Sequence, residues 1–163
     1  MNSTMKRFTI LLLLSAFLAS GAAAQSTIFI VRHAERTENG GTDPDLSDLG
    51  RTRAATLANM LKDAGISAIY VTELKRTQQT AAPLAKMLHL DLTIVPAKDS
   101  PALLAKVRNS TGNLLVVGHS NTIPDLIKGS GIATPINIAE NDYDNLFVLM
   151  LEERPRLIHL HYR

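Results

Sequence analysis

Short apolar runs alternate with helix-period segments along most of this chain, and that alternation limits its fold more than any other feature. Residues 27–32 (TIFIVR) are a β-branched apolar run of the kind a sheet buries. Asn39-Gly40-Gly41 and Asp43-Pro44 mark a loop over 37–47. Ser47 is placed to cap a helix to about residue 64. Ala54, Leu57, Ala58 and Leu61 recur there at i, i+3, i+4 and i+7, and Gly65 takes a C-terminal glycine position. A second strand is predicted over 68–72. A helix follows from about 76 to 88, which Pro83 should kink or start late. A third strand spans 92–95. Ser100-Pro101 reads as an N-cap and first-turn pair for a helix to about 108. Residues 113–117 (NLLVV) are a buried strand broken by Gly118, and a short helix starts near 122–124. Two strands, 146–151 and 156–161, end the chain with 152–155 between them. The pattern predicts an α/β fold: a three-layer α/β/α sandwich with a mostly parallel central sheet.

The N-terminal segment stands apart. Lys6 and Arg7 precede an almost unbroken apolar run over 8–19, and Ala22-Ala23-Ala24 supplies small residues before Gln25. This is the pattern of a signal peptide over residues 1–24, leaving one domain over 25–163. The run is about 12 residues, short of the roughly 20 that span a bilayer. No membrane span is expected after cleavage, and the expected home is exported, periplasmic or secreted. The formal charge of +2 then changes meaning, because Lys6 and Arg7 supply all of it. Without them the chain is neutral, which gives no footing for nucleic acid. Aromatics are 4% with no tryptophan, so stacking platforms for bases are scarce. Cysteine is absent, which excludes disulfide scaffolds, thiolate zinc sites and cysteine nucleophiles.

In open α/β sheets, ligands bind beyond the carboxyl ends of the strands. The residues just past each strand are therefore the informative ones. They are Arg32, His33 and Glu35 after the first, Glu73 and Arg76 after the second, and His119, Ser120 and Asn121 after NLLVV. Two histidines and two arginines thus converge on one sheet edge. A guanidinium fork suits phosphate oxygens, and an imidazole can be a covalent nucleophile. Phosphoryl transfer asks mainly for in-line attack and neutralised equatorial oxygens. The helix start after Gly118 would add backbone donors. The set fits a phosphatase that uses a phosphohistidine, with no metal and no cofactor. A metal site built from His33, His119 and Glu35 would place its cation among arginines, which opposes it.

Four segments carry a family resemblance. VRHAER (31–36), LSDLGRTRA (46–54), IYVTELKRTQQTA (69–81) and LVVGHSNT (115–122) resemble, in order, the motifs of the histidine phosphatase superfamily, the phosphoglycerate mutase-like group. The resemblance implies that His33 is the phosphorylated nucleophile. It implies that Arg32, Arg76 and His119 form the phosphate pocket, with Asn39 near phosphate. Glu35, Thr72, Ser120 and Asn121 would support them. Thr72 stands where many relatives have a serine, and it keeps the hydroxyl. The insertion that carries a glutamate proton donor in mutase-like relatives is missing, so the cap is minimal. Its interval holds only Asp91 and Asp99. Asp99 is taken as the catalytic acid, with Glu73 as a further candidate. Hydrolysis of a small phosphorylated substrate is expected rather than mutase activity. The small size resembles compact phosphohistidine-phosphatase-like members, and the signal pattern resembles exported lipopolysaccharide-core phosphatases. No motif bears on oligomeric state.

Two alternatives belong to other classes. Gly118-His119-Ser120-Asn121-Thr122 is one residue away from the G-x-S-x-G elbow of serine hydrolases. There Ser120 would be the nucleophile, with Asp142 or Asp144 and then His159 or His161 completing the order. The other alternative is a catalytically decayed exported domain that binds anions.

Overall fold

The computed structural model describes residues 26–39 and 41–163. The predicted signal segment, 1–24, lies outside the described residues. Among the described residues, six strands and four helices follow one another as β1 (Ser26–Arg32), α1 (Asp48–Leu61), β2 (Ile66–Val71), α2 (Lys75–Leu88), β3 (Leu92–Ile94), α3 (Ser100–Asn109), β4 (Asn113–Gly118), α4 (Thr122–Gly129), β5 (Asn145–Leu151) and β6 (Arg156–His161). The sheet order is β3-β2-β4-β1-β5-β6. β1 to β4 run parallel, while β5 and β6 are antiparallel additions at one side.

Alternation along β1 divides the core. Ile28 and Ile30 face one layer, where Val107 of α3 and Ile123, Leu126 and Ile127 of α4 meet them. Phe29 and Val31 face the other, against Leu57, Ala58 and Leu61 of α1 and Ala81, Leu84 and Ala85 of α2. Side chains two apart share a face of a strand, so a central strand apolar at every position must be covered twice. The three-layer sandwich follows from that.

Local expectations are refined at three places. α1 ends at Leu61 rather than near 64, and Gly65 (φ +65°) closes the turn into β2 instead of ending the helix. α2 runs through Pro83, whose missing N–H leaves the Gln79 carbonyl without its intrahelical donor. α3 is capped by Asp99, not Ser100. The Asp99 carboxylate accepts from the Ala102 amide at 3.0 Å, and Ser100 and Pro101 fill the first turn.

Candidate active site

β1 delivers Arg32 and His33 at its carboxyl end, and β4 delivers His119 beside them. Register forces the meeting, because Arg32 pairs with Gly118 and the His33 amide donates to the Gly118 carbonyl at 3.0 Å. The two imidazoles stand 5.4 Å apart between centroids. Arg32, His33 and His119 are all buried.

His33 is fixed in one tautomer. Its Nδ1 lies 2.8 Å from the Ala34 carbonyl, which can only accept, so Nδ1 carries the proton and Nε2 keeps the lone pair. Burial, helped by the charges of Arg32, His119 and Arg76, lowers its pKa to about 3. His119 is lowered to about 4, by burial first and then by Arg76. Both rings are neutral at pH 7. His119 Nε2 pairs with the Thr72 hydroxyl at 3.1 Å, and its amide donates to Thr122 Oγ1 at 3.1 Å. Ser120 and Asn121, expected as its supports, make no hydrogen bond to it; Thr122 takes that part.

Arg32 is clamped from the far end of the chain. Nη1 donates to the carbonyls of Ala139 (2.9 Å) and Glu140 (2.7 Å), and Nη2 lies 3.4 Å from the Glu140 carboxylate. The Tyr143 ring centroid lies 4.4 Å from its guanidinium carbon. The Nε atoms of both Arg32 and Arg76 are buried with no hydrogen-bond partner among the described residues. Such donors are costly unless an acceptor arrives. Arg76 reaches Asp43 at 3.8 Å, and burial followed by repulsion from Arg36 lowers its pKa. Threonines of the 69–81 motif brace this edge. Thr80 takes the Ala34 amide at 2.9 Å and donates to the Arg76 carbonyl at 2.7 Å, while Thr77 bonds Thr72 at 3.0 Å.

Glu35 does not lie on the histidines. Its carboxylate is held by Arg53, from Nε at 2.9 Å to both oxygens and from Nη2 at 2.7 Å. Arg53 also donates to the Tyr162 carbonyl at 3.1 Å. Asn39 is exposed in its loop. Asp99 is exposed and occupied as the α3 cap, so the structure ties it to a helix terminus rather than to the pocket. Glu73 is electrostatically closer, since its charge raises the pKa of His119. Its own carboxylate accepts from the Ala97 amide at 2.8 Å, the main reason its pKa is lowered. Asp91 is exposed at the start of β3.

The elements of the serine hydrolase reading do not meet. His159 bonds Asn145 at 2.7 Å and His161 bonds Asp144 at 3.0 Å, both on β6 at the sheet edge. β6 is three strands from β4, about 14 Å at ~4.8 Å per strand.

The residues that sequence reasoning missed are Tyr143, Arg53, Thr77, Thr80 and Asp43. The two threonines lie inside a quoted motif, so position alone could have flagged them. Nothing local marks Tyr143, which reaches the pocket from a loop more than a hundred residues from His33.

A parallel sheet covered on both faces, with Arg and His leaving the central strand toward a second His, is the architecture of the phosphoglycerate mutase-like α/β proteins. Residues 28–98 match the model of the histidine phosphatase superfamily (branch 1), the family whose motifs the sequence resembles. Phosphoserine phosphatase 1 of Hydrogenobacter thermophilus is 38% identical over 71 residues, 40% of this chain and 34% of that protein. A 2,3-bisphosphoglycerate-dependent phosphoglycerate mutase of Bartonella bacilliformis is 37% identical over 78 residues, 42% of this chain and 38% of that protein. The matched stretch thus spans little more than a third of either curated relative. The protein histidine phosphatase SixA, solved with tungstate, shares the fold at a TM-score of 0.67 and 19% identity, covering 83% of this chain and 96% of that one.

Proposed function

We propose that the protein is a phosphatase in which His33 Nε2 takes the phosphoryl group and water then releases it. The observation that carries this reading is the Nδ1–H bond to the Ala34 carbonyl. It leaves a neutral imidazole with its lone pair on Nε2, among Arg32, Arg76 and His119.

In the first step Nε2 attacks phosphorus in line and the P–O bond to the leaving group breaks. The guanidiniums of Arg32 and Arg76 meet the equatorial oxygens through their unpartnered Nε donors. His119, neutral and steadied by Thr72, donates or accepts according to its tautomer. Phosphorylation turns His33 into an N-phosphoimidazole that keeps its Nδ1 proton on Ala34. In the second step water attacks phosphorus, the P–N bond breaks, and inorganic phosphate leaves. Glu73 and Asp99 each accept a hydrogen bond from a backbone amide, and in this reading neither is given the acid's part: the leaving oxygen takes its proton from water. The chemistry asks for no metal and no cofactor, because two guanidiniums supply the charge a cation would bring. SixA, which shares this fold, was solved in complex with tungstate, an oxyanion shaped like phosphate, and that supports an oxyanion as ligand here. The substrate is a small phosphorylated molecule, and hydrolysis rather than mutase transfer is the reading. The N-terminal pattern supports an exported protein.

The test is a quench-flow trap with radiolabelled p-nitrophenyl phosphate in EDTA. An acid-labile, base-stable label on His33, lost in His33→Ala and kept in Ser120→Ala, is the expected result. Label on Ser120, or turnover that depends wholly on added metal, overturns the mechanism.

A further inference from the structure

Beside the candidate pocket lies a cleft of about 420 Å³ with residues 35–38 on one wall and Glu140, Asn141 and Tyr143 on the other. It adjoins the reacting centre, since Tyr143 stands 6.0 Å from the His33 ring and Arg36 acts electrostatically on Arg76. We infer that this cleft is the leaving-group subsite, and that it takes small hydrophilic alcohols without negative charge, ammonium-bearing ones best. The inference rests on the phosphatase reading above and adds a substrate class to it.

Three properties carry it. At roughly 30 Å³ per water-sized group, the space suits a leaving group of about a dozen atoms. Apart from the Tyr143 ring, the lining side chains are charged or carry an amide or hydroxyl, so a long alkyl chain would strand hydrogen-bonding groups without water. The charge balance is the third. The lining carries the carboxylates of Glu35, Glu38 and Glu140 against the single guanidinium of Arg36. Glu140 is shared by that guanidinium at 3.8 Å and by Arg32 at 3.4 Å, and Glu35 is neutralised from outside the cleft by Arg53. Of the three lining carboxylates, Glu38 alone makes no ion pair among the described residues. A carboxylate or second phosphate on the leaving group is repelled by the Glu38 charge, whereas an ammonium is drawn to it.

The experiment compares kcat/KM for primary-alcohol phosphates of matched size: phosphoethanolamine, glycerol 3-phosphate and 3-phosphoglycerate. Dodecyl phosphate is the apolar arm, and p-nitrophenyl phosphate reports turnover as such. In the wild type, phosphoethanolamine should exceed 3-phosphoglycerate at least tenfold, with glycerol 3-phosphate between them and dodecyl phosphate no better than glycerol 3-phosphate. Glu38→Lys should compress the first ratio by about fivefold or more, Glu38→Gln by less, and 0.5 M salt should weaken it. Glu38 is exposed on a loop, so both variants should fold, and matched thermal midpoints check this. A ratio near one, a preference for the anionic or dodecyl ester, or a ratio indifferent to Glu38→Lys overturns the subsite while p-nitrophenyl phosphate is still turned over. Failure to hydrolyse any of these esters overturns the phosphatase reading and the subsite together.

Discussion

The guanidinium carbon of Arg32 lies 4.4 Å from the ring centroid of Tyr143, although 111 positions of sequence separate them. Arg32 is buried at the end of a central strand, and its outward side is closed by an aromatic face and two main-chain carbonyls. The orientation of the fork is set by a loop that carries no motif.

This contact gives the first prediction. Tyr143→Phe keeps the ring face and should hold kcat/KM for p-nitrophenyl phosphate within about twofold. Tyr143→Ala removes a partly desolvated cation–π contact of ~1–2 kcal/mol and should lower kcat/KM about tenfold. Steady-state kinetics on both variants, beside wild type, decides it. Equal losses would assign the effect to the hydroxyl instead.

The buried histidines predict acid sensitivity. His33 and His119 have folded pKa values of about 3 and about 4, below the unfolded value of 6.5. Between those limits the unfolded chain binds more protons than the folded one, so stability rises with pH. The stabilisation is complete above about pH 6.5 and is lost as pH falls toward 4 and 3, at up to ~1.4 kcal/mol per pH unit for each ring. Urea midpoints from pH 7 to 4 should fall steeply in wild type and less so in a His33→Asn, His119→Asn double variant. The same values predict no enzyme ionisation near 6.5 in the acid limb of kcat/KM.

Arg53 and Glu35 form a partly buried pair, with side chains 15% and 14% exposed. Arg53→Ala leaves the carboxylate without its fork and should cost about 2–3 kcal/mol. Arg53→Lys should recover only a fraction, because one ammonium cannot make the forked contact. Denaturant titration of both variants measures this. A loss below ~0.5 kcal/mol in Arg53→Ala would show the pair to be incidental.

At Gly50, helix α1 lies directly against the Glu35 backbone. A Cβ there would stand 2.1 Å from the Glu35 carbonyl oxygen, far inside contact distance, and the obstacle is backbone. Gly50→Ala must therefore push α1 away from the segment that follows His33. We expect a stability loss of about 2–4 kcal/mol and a fall in kcat, read by thermal melting and kinetics. An unchanged midpoint would mean that the helix has room to move.

Most of this fold could be read from periodicity, because five of the six strands are apolar runs bounded by turn residues. Helix ends were less legible. Asp99 and Ser100 are both good caps, and only the Ala102 amide shows which one is used. In the site, Arg32, His33, Arg76 and His119 were visible because each lies at or shortly past the carboxyl end of a strand. Glu35 was visible as a residue but not in its partner, since Arg53 meets it across tertiary space. Tyr143 was invisible for the same reason: its role depends on where an irregular loop lands, and neither propensity nor spacing encodes that.

The placement of β1 bears on how activity appears in time. Among the described residues, the earliest strand in the sequence is a middle strand of the finished sheet, flanked by β4 and β5, which are formed from much later residues. The Arg32 clamp waits still longer, for residues 139 and 140. Local pieces such as β2-α2-β3 can assemble early, but the reactive end of β1 is completed only when the longest loops close, the slowest class of folding contact. On the phosphatase reading, activity during refolding should then lag behind secondary structure, and a chain truncated before residue 139 would keep His33 without the clamp on Arg32.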